Sequence, residues 1–98
     1  MNASIAIQIA PRVNEMEESI KIIDEVIAYI KSTGLNCYVG PFETAVEGDF
    51  DELMEIIKQC HIIAAEAGAP QVASYVKIVY KPEGDVLTIE EKVTKHHQ

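Results

Sequence analysis

Long hydrophobic runs are missing from this chain. No apolar stretch approaches the roughly 20 residues that cross a bilayer. The opening MNASIAIQIAPR lacks the early positive charge and the apolar core of a secretory signal. These two absences predict a cytoplasmic protein with no membrane partner. Basic residues are scarce as well: eight Lys and Arg stand against sixteen Asp and Glu, for a net charge of −8. Nucleic acids are bound through basic patches that release counterions, so the balance argues against a nucleic-acid partner. The same acidity either suits a cationic ligand or keeps the chain soluble. Cysteine is limited to Cys37 and Cys60, with no CxxC spacing. Two reduced, buried thiols are expected, because a free thiol behaves as a small hydrophobe.

The motifs of catalysis are also lacking. Gly34, Gly40, Gly48, Gly68 and Gly84 are isolated turn glycines and form no phosphate-cradling loop. Ser4, Ser19, Ser32 and Ser74 carry no nucleophile-elbow motif. His61 follows Cys60, but adjacent helical positions diverge by about 100°, so the pair does not converge on one metal. His96 and His97 have no upstream partners for a metal site. The expectation is a protein that is not an enzyme and has no metal or cofactor.

What is present is enough chain for one domain over residues 1–98, with 48% apolar residues. A domain of this size buries about 60–68% of its unfolded surface. Ala3–Ala10 alternates with period two, Ile5, Ile7 and Ile9 on one side and Ser4, Ala6, Gln8 and Ala10 on the other, which predicts a strand. Met16–Ser32 reads as a helix, with Met16, Ile20, Ile23, Ile27 and Ile30 on one face, Asn14 as N-cap and Gly34 as stop. Leu35–Val39 and Thr44–Glu47 are two short strands joined through a turn at Gly40–Glu43. A second helix opens at Asp49, with Glu52 as its capping-box partner. Its apolar face is Phe50, Leu53, Met54, Ile57, Cys60 or His61, Ala64 and Ala67, and it closes at Gly68. Val72–Tyr80 is the most β-prone stretch, and Thr88 with Glu91 caps a short C-terminal helix.

The order β-α-β-β-α-β predicts an α+β, ferredoxin-like sandwich, a four-stranded antiparallel sheet with two helices on one face, plus the short C-terminal helix. Two helices cover one face of a sheet and leave the other open. The open set is Ser4, Ala6, Gln8, Tyr38, Ala45, Glu47, Tyr75, Lys77 and Val79. This set is too apolar for water and too polar for a core, the composition of a protein–protein surface holding a pocket. Within it, Glu47 either accepts hydrogen bonds from an aminopyrimidine, pairs with a cation, or is a surface carboxylate before a turn. Lys77 either balances Glu47, meets an anion, or guards the strand edge. Tyr38 and Tyr75 either stack on a ligand ring or fill a dimer interface.

The stretches GPFETAVEGDFDELMEIIKQCH, GAPQVASYVKIVY and LTIEEKV resemble the thiamine-binding, YkoF-like family. The likeness runs over nearly the whole chain. It implies a ferredoxin-like fold whose sheets meet face to face in a homodimer, often built into a homotetramer, and a thiamine-like ligand bound for transport or salvage. It implies ligand contacts at Thr44, Glu47 and Ser74, with Gln8, Tyr38 and Lys77 beside them. Thr44 and Ser74 fall on the helix-covered face and Glu47 on the open one, which leaves either an interface site or a site at the sheet edge. The alternative expectation is a structural or regulatory homo-oligomer that takes no small ligand.

Overall fold

Alternation in the first strand sets the sheet. In this computed structural model, which describes residues 1–96, β1 (Ala3–Pro11) buries Ala3, Ile5, Ile7 and Ile9. It is followed by α1 (Met16–Ser32), β2 (Cys37–Val39), β3 (Thr44–Gly48), α2 (Phe50–Glu66), β4 (Val72–Tyr80) and α3 (Ile89–Val93), with a 3-10 turn at Thr94–His96. The expectation for His97 lies outside the described residues. The strands pair antiparallel in the order β2-β3-β1-β4, so β1 is central and β2 and β4 are edges. The fold is the ferredoxin-like α+β sandwich.

Register places Ile5 between Val46 and Ile78, and Ile7 between Thr44 and Val76. Those side chains share the face that α1 and α2 cover. Ser4 lies between Glu47 and Val79, Ala6 between Ala45 and Lys77, and Gln8 opposite Tyr75. The division into a covered and an open set is therefore the one that alternation predicts.

The helices match the expected ranges, but not the expected faces. In α1 the buried positions are Ile22, Val26 and Ile30, whereas Met16 is 78% and Ile20 52% exposed. The helix carries two neighbouring apolar rows, and the position of the sheet decides which row is central. The second row, Ile23 and Ile27, is half-buried beside β2 and β3. In α2 the row is Leu53, Ile56, Cys60 and Ala64, so Ile56 belongs to the core as well. Burial pushes the Cys60 thiol up to about 11, which keeps it protonated and inert.

Capping also differs in detail. The α1 N-cap is Glu15 rather than Asn14, and it makes no side-chain cap bond. Asp49 is the α2 N-cap but makes none either, and Asn2 Oδ1 accepts the Phe50 N–H at 2.9 Å from the start of β1 instead. At the other end, Gly68 has φ +121° and donates to Ala65 O while Ala69 donates to Ala64 O, a Schellman stop. Phe50 and Tyr80 rings, with centroids 4.5 Å apart, tie the start of α2 to β4.

Candidate functional site

β1 outruns β3. Their pairing ends where Ile7 meets Thr44, yet β1 continues to Pro11 with β4 alone beside it. From Gln8 onward, the β3 side of β1 is an unpaired edge. The half-buried α1 row Ile23 and Ile27 and the Val39–Thr44 turn face this gap. Together they enclose a groove of about 220 Å³. Its walls are mostly apolar, with isoleucine the commonest residue, and its polar side chains come from Gln8, Glu43 and Thr44. Thr44 is 7% exposed, because its strand position puts it under α1. The groove is thus a mostly apolar cleft with a hydroxyl, an amide and a carboxylate at its wall.

The turn that shapes the groove is tight. Gly40 N–H donates to Glu43 O at 3.0 Å, and a Cβ on Gly40 would sit 2.9 Å from that same oxygen. Glycine is needed here for close backbone approach. Phe42, at the tip of the turn, is 80% exposed. Glu43 points across the open face, where Lys77 Nζ lies 3.2 Å from its Oε1. The expected Lys77–Glu47 balance is therefore a Lys77–Glu43 ion pair, because Glu47 is held elsewhere.

Glu47 is 7% exposed, and both of its oxygens are occupied. Asn36 Nδ2 donates to Oε1 at 2.7 Å, and the Ile89 N–H donates to Oε2 at 2.7 Å. The second donor is the first amide of α3, so the carboxylate holds the C-terminal helix down on one end of the open face. Thr88 and Glu91 complete the reciprocal capping box expected there, and Lys92 Nζ lies 3.4 Å from Ser4 Oγ. The open face is consequently half covered, while Tyr38, Tyr75 and Val79 remain 41%, 62% and 56% exposed.

Ser74 faces α2, not the groove. His61 Nδ1 lies 2.7 Å from Ile57 O and Nε2 lies 2.8 Å from Ser74 Oγ. A carbonyl only accepts, so Nδ1 carries the proton and Nε2 accepts from the serine hydroxyl. The pair ties β4 to α2.

Of the residues singled out from sequence, the groove brings Gln8 and Thr44 together. Lys77 reaches its rim through Glu43. Tyr38, Glu47 and Ser74 stand apart from it, on β2, under α3 and against α2. Sequence reasoning missed Phe42, Glu43, Ile23 and Ile27 as groove residues. The signal available was the second apolar row of α1, which exceeds what one core face needs.

A family model described as thiamine-binding protein matches residues 5–97. A UPF0045 protein of Clostridium perfringens is 44% identical over 93 residues, covering 95% of each chain. Among solved structures, a Streptococcus pneumoniae protein superposes with a TM-score of 0.79 at 42% identity, covering 96% of this chain and 99% of its own. A Thermotoga maritima protein, provisionally described as a thiamine biosynthesis/salvage protein, gives 0.84 at 34% identity, covering 98% and 99%. By sequence over nearly its full length, this chain belongs to the thiamine-binding protein family.

Proposed function

We propose that this protein is a cytoplasmic binding protein that takes thiamine or a related aminopyrimidine in the groove between α1 and the Gly40–Glu43 turn, and does not convert it chemically. The observation that carries this reading is the gap left where β1 outruns β3. It supplies a mostly apolar cleft whose wall carries the Thr44 side chain and the edge of β1 beyond its pairing with β3. An aminopyrimidine has a flat ring with both donors and acceptors on its edge. The family membership and the provisional description of the Thermotoga relative support the same ligand class. Glu47 acts in this reading as a positioning group rather than a ligand contact.

The working unit is a homo-oligomer. A second copy covers Tyr38, Tyr75 and Val79 on the part of the open face that α3 leaves bare. In that arrangement Lys77 and Gln8 lie between the sheets, near the groove.

Isothermal titration with thiamine, its phosphates and its hydroxymethylpyrimidine half tests the ligand. Thr44→Val keeps the shape and removes the hydroxyl, so affinity falls about 2- to 12-fold. A ligand at about 100 times its dissociation constant stabilises the fold by about 2.7 kcal/mol, so a melting curve gives the same answer. The absence of heat and of a melting shift with every one of these compounds sinks the ligand reading and leaves a structural homo-oligomer.

A further inference from the structure

We infer that Phe42 is a specificity-determining residue, stacking on the cationic ring of a two-ring ligand whose neutral ring fills the groove. The inference deepens the reading above and rests on it.

The first observation is size. A groove of about 220 Å³ falls below the roughly 300–1,000 Å³ of pockets that enclose whole drug-sized ligands. It has room for one substituted ring, so the remainder of a two-ring molecule lies outside its mouth.

The second observation is Phe42 itself. The residue is 80% exposed, although it borders the groove. It packs into no core. Its place is nonetheless well held. Pro41 restricts the backbone on one side. The Gly40–Glu43 hydrogen bond of 3.0 Å closes the turn. The Lys77–Glu43 contact of 3.2 Å anchors the far side to β4. The backbone that carries the ring is therefore held in place, so only the side chain is ordered when a ligand arrives.

The third observation is charge. Glu43 is the one charged residue of the groove lining, and it is acidic, in a chain of net charge −8. The lining itself thus presents no lysine or arginine to a cation outside the mouth, and the Lys77 ammonium on the rim is already engaged by Glu43 at 3.2 Å. Over the face of a phenylalanine a cation is attracted by the ring's negative π surface, within about 6 Å of the centroid. Neutral ring inside and cationic ring against Phe42 is the arrangement that size, exposure and charge favour together.

The test is a comparison of two ligands on three full-length proteins by isothermal titration. The ligands are thiamine, which has a neutral and a cationic ring, and its hydroxymethylpyrimidine half, which has the neutral ring alone. The proteins are wild type, Phe42→Ala and Phe42→Leu. Phe42→Ala weakens thiamine about 2- to 30-fold and leaves the single ring within about twofold. Phe42→Leu restores apolar cover without the π face and still loses most of that factor. Equal effects on both ligands, or none on either, overturn the role of Phe42 while the groove stands. Wild-type protein that binds neither ligand overturns the groove reading as well. Melting curves of the variants check that the exposed position leaves the fold intact.

Discussion

At residue scale, Glu47 shows how a single carboxylate is diverted from surface chemistry to architecture. A charge only 7% exposed is tolerated because two donors meet it, each at 2.7 Å. From the sequence Glu47 is a strand residue on the open face, and the structure keeps it there. The donors, however, come from the loop before β2 and from the C-terminal helix, and no local pattern announces them. Glu47→Ala leaves the Asn36 amide and the Ile89 N–H without their acceptor. The expected cost is about 1–3 kcal/mol, which lowers the melting temperature by about 4–8 °C for each kcal/mol in a domain of this size. A pure ligand contact behaves oppositely: affinity falls and the melting temperature of the free protein does not move.

The elements differ in how firmly they are held. α1 and α2 bury continuous apolar rows, whereas α3 is a short helix anchored by Val86, Ile89 and a set of polar contacts. Two of those contacts are acid-sensitive. The hydrogen bond from the Met1 ammonium, 2.9 Å away, and the charge of that ammonium hold the Asp85 carboxyl below its ordinary 3.8. The hydrogen bonds from Thr88 hold the Glu91 carboxyl below its ordinary 4.5. A carboxyl whose pKa is depressed by folding stabilises fully above its unfolded value. That contribution is lost as pH falls through the depressed one. Acidification below about 4.5 therefore loosens α3 before the sheet. Amide exchange followed by NMR reads this directly: protection at Thr88 and Ile89 drops at a higher pH than protection in β1 and β3. Simultaneous loss everywhere contradicts a separately anchored C-terminal segment. Both carboxyls are exposed, so the effect belongs to the segment and not to global stability.

For the whole molecule, the question is what covers the bare part of the open face. Tyr38, Tyr75 and Val79 are all more than one-third exposed and stand together by register around Ala6 and Ala45. In the proposed homo-oligomer this patch is where the second copy sits. Sedimentation velocity of the wild type over a concentration series is expected to show an oligomer. Tyr75→Glu is expected to weaken association about tenfold or more, as for an aromatic at an interface centre. A wild-type monomer at every concentration refutes the face-to-face arrangement.

Much of this molecule was legible in the sequence because the signals concerned are local. Period-two alternation in Ala3–Ala10 decides which β1 side chains share a face. Gly34 and Gly68 stop helices, with φ +77° and +121°, since glycine adopts the left-handed region without a Cβ penalty. Thr88 and Glu91 form their box within one helical turn. Matching stretches spread along nearly the full chain also pointed to the family. Only the tertiary structure decided which apolar row of α1 is central, because both rows satisfy the same helical period. Likewise, the end of β3 opposite Ile7, which opens the groove, depends on the register between two distant strands. The partners of Glu47 and Ser74 lie in a loop or on other elements, 11 to 42 residues away along the chain. Periodicity and capping act over a few residues, whereas the groove and the held carboxylate arise from which distant surfaces are packed together.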